Sequence, residues 1–116
     1  GETYKEAWFR ARRKDMTGTC WCGCRQPSSK NDDANFRSSA CHILAQKNFP
    51  SVQFHPFNFI EMAFWGGCHT NFDGRGSDRW DKLACWDEIV RRFLIIYPLT
   101  FPNERKHIPE ILKQFT

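Results

Sequence analysis

Cysteine is the residue that could carry chemistry here, and three of the six sit within five positions: Cys20-Trp21-Cys22-Gly23-Cys24. The other three, Cys41, Cys68 and Cys85, are scattered. Two chemistries fit that pattern. In an oxidising compartment an even number of cysteines in a short chain reads as a disulfide framework. Under reducing conditions closely spaced thiolates can hold one tetrahedral zinc ion.

Neighbours in the cluster are poorly placed to pair with each other, because a disulfide wants Cα atoms roughly 5.5–6 Å apart with converging Cβ vectors. The oxidised form therefore predicts outward bonds, one from each of Cys20, Cys22 and Cys24 to Cys41, Cys68 and Cys85. The loop would then tie three distant segments together, each closure contributing roughly 3–4 kcal/mol less any strain. This framework is the leading expectation, with no cofactor. In the reduced form Cys41-His42 and Cys68-His69 supply further zinc ligands, although neither a repeated Cys-x₂-Cys nor a His-x₃₋₅-His spacing is present.

Carboxylates offer a third chemistry. Glu61 lies in an aromatic stretch, with Asp73, Asp78 and Asp81 downstream. A Glu in an apolar pocket opposite a second carboxylate is the glycosidase arrangement. Each acid also has an architectural explanation: Asp78 and Asp81 suit a first helical turn, and Asp73 suits a turn. His55, His69 and His107 read as loop or helix-start residues.

The elements that must position these groups read as mainly helical. Residues 3–14 carry Tyr4, Ala7, Trp8 and Ala11 on one stripe. Residues 18–35 are loop chemistry, rich in Gly, Pro, Ser, Asn and Asp. Helices are expected over 36–48, with Phe36, Ala40, Ile43 and Leu44 inward, and over 56–65, where Pro56 can start a helix and Gly66-Gly67 can stop one. Residues 70–77 read as a turn region. The strongest helix is 78–97, with Leu83, Trp86, Val90, Phe93, Leu94 and Tyr97 inward. A short one covers 107–115. The sum is one compact, disulfide-rich, mainly α domain over residues 1–116, with about five short helices. The β-prone segment 57–65, and 93–97, leave an α+β fold with a small sheet as the alternative.

With 41% hydrophobic and 26% charged residues the chain is an ordinary globular mixture. Its net charge of +4 is weak for a dedicated nucleic-acid binder, and its apolar runs fall short of the roughly 20 residues that span a bilayer. It begins at Gly1 rather than Met, as expected of a chain from which a signal or tag has been removed. Aromatics reach 16%, more than so small a core should hide.

Phe9, off the apolar stripe of its helix, and Trp80, at the rim of its own, are the expected exposed aromatics. With Trp8 and the cations Arg10, Arg12, Arg13 and Lys14 they form the expected binding surface. The function expected is that of a secreted, non-catalytic, disulfide-stabilised protein that engages a protein partner. The alternatives are an intracellular zinc-stabilised domain binding nucleic acid or protein, and a small secreted hydrolase using Glu61 with Asp73 or Asp78.

Overall fold

Helix α1 forms over Tyr4–Asp15 as its sequence dictates. The Thr3 hydroxyl caps it by accepting from the Glu6 amide at 3.1 Å, and Arg12, Arg13 and Lys14 fill the last turn, where cations oppose the helix dipole. The computed structural model of the chain describes residues 1–64, 68–73 and 77–116, the side chains of Thr70, Asn71 and Asp73 excepted. The proposed stop at Gly66-Gly67, and Gly74-Arg75-Gly76 of the turn region expected over 70–77, lie outside the described residues.

The expected helix over 36–48 is replaced by a single 3-10 turn, Phe36–Ser39, followed by strand β1, Ala40–Cys41. The expected helix over 56–65 is replaced by strand β2, Ile60–Glu61. The two strands pair antiparallel, Ala40 opposite Glu61 and Cys41 opposite Ile60. Both segments are buried on successive residues, Phe59 through Ala63 without interruption. A run buried on both faces carries no period, so sequence cannot tell strand from helix there. Tertiary bonds then decide. The buried Asn58 side chain accepts from Leu44 N–H at 2.8 Å and donates to Leu44 C=O at 2.9 Å, taking the backbone groups a helix would have used.

Helix α2 spans Cys68–Asp73, where a turn is expected from residue 70. The expected 78–97 helix is divided into a 3-10 helix, Ser77–Lys82, and helix α3, Trp86–Ile96. At the break, Ala84 N–H donates to the Cys22 carbonyl at 3.2 Å, so the cysteine loop interrupts the helical ladder. Ile89, Phe93 and Ile96, at spacings of four and three, form the fully buried face of α3. The helix expected over 107–115 is a shorter 3-10 helix, Glu110–Phe115, that starts after Pro109, and a further 3-10 helix, Pro102–His107, precedes it. The architecture is thus a small, mainly helical domain with a two-stranded antiparallel sheet.

The core lies between α3, the strands and the C-terminal segment, with Phe49, Ile60, Phe93 and Leu112 at its centre. A second cluster, Trp8, Phe9, Met16, Ala40 and Phe59, seats α1 on the sheet. Trp8 stacks on His42 with ring centroids 4.5 Å apart and donates to the His55 carbonyl at 3.2 Å. Arg92 of α3 donates to the Phe59 carbonyl at 2.9 Å and to Glu88 at 2.8 Å, and its guanidinium covers the Trp21 ring at 5.0 Å. Hydrogen bonding to Arg91, opposed by burial and reinforced by Arg92, pulls the Glu88 carboxyl from its ordinary 4.5 down to about 2. A carboxyl depressed in the folded state stabilises fully above its unfolded value and loses that contribution as pH falls toward the folded one. Stability measured by urea unfolding should therefore decline between pH about 4.5 and about 2. Glu88→Gln should flatten that decline, and an unchanged slope would show that Glu88 does not contribute to it.

Candidate metal centre

Glu61 fixes the loop that carries the cluster. The residue is fully buried, and the donors to its two carboxylate oxygens come from one segment. Oε1 accepts from Thr17 N–H at 2.7 Å and Thr17 Oγ1 at 2.9 Å. Oε2 accepts from Gly18 N–H at 2.9 Å and from Ser28 Oγ. Glu61 also accepts from Trp21 N–H through its main-chain carbonyl, at 2.9 Å. A bridge between Thr19 and Pro27 and a bond from Cys20 N–H to Gln26 C=O close the loop on itself. Gly18 and Gly23 take positive φ, +94° and +100°, and so does Arg25 at +65°; these reversals pack three cysteines into one tight turn.

This burial corrects the catalytic expectation for Glu61. A general acid or base must reach its substrate, and this carboxylate is enclosed with both oxygens engaged. Asp78 lies exposed on the 3-10 helix after α2. The Asp73 side chain is outside the described residues.

At the tip of the loop the sulfurs converge. Cys20 Sγ lies 3.2 Å from Cys22 Sγ, Cys22 Sγ lies 3.6 Å from Cys68 Sγ, and Cys68 Sγ lies 3.8 Å from Cys24 Sγ. All four lie within 4.8 Å of one another, the one such grouping among the described residues. A disulfide requires about 2.05 Å, and no disulfide is formed. A regular tetrahedron of sulfurs around zinc, with bonds of about 2.3 Å, has edges of about 3.8 Å. The Cys22–Cys68 and Cys68–Cys24 separations lie close to that edge, Cys20–Cys22 is shorter by about half an ångström, and none is at covalent distance.

Backbone amides lie beside these sulfurs. The Gln26 N–H donates to Cys24 Sγ at 3.4 Å, and the nearby main-chain amides of Cys22 and Ala63 act on Cys20, and that of Cys24 on Cys22, to favour ionisation. Such donors favour the thiolate over the thiol. Burial works the other way, pushing Cys20 and Cys68 each up to about 11 and raising Cys22. For Cys24 burial also opposes ionisation, but the Gln26 amide and the neighbouring cysteines hold it below its ordinary value. A cation inside the cluster reverses the cost of burial, since a coordinating thiol is deprotonated outright.

Of the three expected outward partners, only Cys68 joins the cluster. Cys41 and Cys85 are buried outside that group. Cys41 Sγ lies 3.3 Å from His69 Nδ1, and that nitrogen also contacts the Ser38 carbonyl. Cys85 precedes α3, and burial raises its thiol to about 12.

The expected binding surface is largely engaged within the fold. Trp8, Phe9 and Trp80 are buried, at 4%, 8% and 3% exposure, which corrects the expectation that Phe9 and Trp80 face solvent. Trp80 stacks on Phe72 with centroids 4.3 Å apart and donates to its carbonyl at 3.2 Å, and Phe9 turns its ring under Arg37. Arg10 pairs with Glu2 at 2.7 Å. Arg12 is mostly covered and lies 3.4 Å from Asp15, and Arg13 is held by the Lys30 carbonyl and Asp33. Lys14 stays exposed.

Two parts of the site escaped the sequence reading. One is the clamp of Arg92 on Trp21. The other is the close approach of Gly23 to Ala84 at the break before α3, signalled only by a glycine between two cysteines. Comparison with protein-family models, with curated proteins and with solved structures finds no match for this chain.

A Cβ at Gly23 would sit 3.0 Å from Ala84 Cβ, on a backbone at φ +100°. Gly23→Ala should therefore lower unfolding free energy by about 1–3 kcal/mol, read by urea denaturation. A neutral result would mean that the turn is not held in this conformation. Glu61→Gln puts an amide donor against the loop's donors, and should cost roughly 2–4 kcal/mol. A variant as stable as the parent would show that the carboxylate does not anchor the loop.

Proposed function

We propose that the chain is a metal-stabilised binding domain, in which Cys20, Cys22, Cys24 and Cys68 hold one zinc ion as four thiolates. The observation that carries this reading is the convergence of the four sulfurs at separations near those of a zinc tetrahedron. Four sulfurs in tetrahedral array suit zinc or iron. Zinc is favoured as the redox-inert ion of closed, structural sites, which leave no coordination position for substrate. The ion's contribution is to folding: it would tie the loop at 17–28 to the start of α2 across more than forty residues.

The partner class favoured is protein. Leu94, Ile95, Leu99 and Phe101 are exposed, at 38–54%, around the end of α3, whereas Arg10, Arg12 and Arg13 of α1 are each paired with an acidic side chain. Clustered exposed apolar side chains are typical of protein contacts. A reduced cluster also fits a reducing compartment. The secreted, disulfide-bonded reading keeps one observation in its favour, the 3.6 Å approach of Cys22 to Cys68.

Purified under reducing conditions with zinc supplied, the chain should carry one zinc per molecule by elemental analysis. Chelator should then abolish its helical circular dichroism, and zinc should restore it. Because four thiols must shed protons to bind, zinc affinity should fall as pH falls. Resistance of all six thiols to alkylation in the denatured, unreduced chain would contradict the zinc reading and support the disulfide one.

A further inference from the structure

The four sulfurs are not equivalent toward solvent. Cys20 is buried, Cys22 and Cys68 are half-buried, and Cys24 is exposed. Cys24 sits at the open tip of the loop, with Gly23, Arg25, Gln26 and Pro27 all exposed around it. Its Sγ lies 3.8 Å from Cys68 Sγ. Its other neighbours are Cys22, only two residues away in sequence, a spacing at which a disulfide is strained, and Cys20, which is buried. Cys68 comes from α2, on a different stretch of chain, and faces no such restriction.

We infer that Cys24 is an oxidation site for hydroperoxides, with Cys68 as its resolving thiol, so that the metal centre opens when peroxide reaches it. This rests on the reading of the four cysteines as a zinc site. The Cys24 sulfur attacks one peroxide oxygen. The O–O bond breaks, hydroxide leaves and takes a proton to become water, and the sulfur becomes a sulfenic acid. The Cys68 sulfur then attacks the Cys24 sulfur. The S–S bond forms, and the sulfenic oxygen leaves as a second water after protonation. Two thiols and one hydroperoxide thus give one disulfide and two waters (or one water and one alcohol, for an alkyl hydroperoxide). Two electrons pass from sulfur to oxygen. Zinc keeps its oxidation state and loses two of four ligands, which releases it. A dithiol reductant reverses the step and restores the site.

The half-buried and buried positions of Cys22 and Cys20 make them slower targets, since susceptibility follows exposure as well as thiolate character. Cys41 and Cys85, both buried, should remain reduced throughout.

The test starts from zinc-loaded chain whose metal content has been measured. One equivalent of hydrogen peroxide is added, zinc release is followed with a chromogenic chelator, and the reaction is stopped by alkylation at intervals for non-reducing peptide mapping. The expected first product is a peptide pair joined through Cys24 and Cys68, formed at the rate at which zinc appears. In Cys68→Ser, a carbon-acid probe for sulfenic acids should label Cys24. A first disulfide elsewhere, or zinc lost while Cys24 is still reduced, would overturn the inference. The same mapping runs in parallel on metal-free reduced chain. If the chain takes up no zinc, the metal reading fails by itself, and the parallel sample still shows whether Cys24 and Cys68 are the pair that peroxide oxidises.

Discussion

A loop of a dozen residues with almost no regular structure does not hold three thiols in one place on its own; it has to be fastened at both ends. The segment from Thr17 to Ser28 is fastened at its base by Glu61, whose buried carboxylate takes hydrogen bonds from Thr17, Gly18 and Ser28. At its tip it meets Cys68, whose sulfur closes on those of Cys22 and Cys24. Everything else touching the loop follows from these two attachments. Trp21 is brought under Arg92, Gly23 against Ala84, and the Cys22 carbonyl to the break before α3.

The base is costly without its donors and stable with them, because a buried charge is tolerated when its lone pairs are filled. The tip follows different physics. Burial raises three of the four thiols, while amides beside the sulfurs favour the anions. A divalent cation satisfies both at once. On this account it would make the loop and α2 a single unit, and a domain of this size gains substantially from such a staple.

Some of this was legible in the sequence and some was not. Helix α1 follows from its stripe and its terminal cations, whereas of the residues expected inward on α3 only Phe93 is fully buried: Ile89 and Ile96 flank it, and Leu94 faces solvent. The Cys20–Cys24 density marked the chemical centre. What sequence could not supply was which distant cysteine completes it. Along the chain Cys41, Cys68 and Cys85 look alike, each next to a predicted helix or within one, and only tertiary placement distinguishes Cys68. The approach of Cys41 to His69, distant along the chain, is of the same kind. Segments 36–48 and 56–65 misled because burial on both faces erases periodicity. Glu61 among aromatics looked like a catalytic acid for the very reason that it is an anchor: it is enclosed. Phe9 lay off the apolar stripe of its helix and Trp80 at the rim of its own, but Arg37 and Phe72 cover them from elsewhere.

X-ray absorption at the zinc K-edge tests the central claim most directly, because it reads the ligand set rather than stability. The account predicts one shell of four sulfurs at about 2.3 Å with no nitrogen or oxygen neighbour. A shell containing imidazole nitrogen or water, or fewer than four sulfurs, would contradict it.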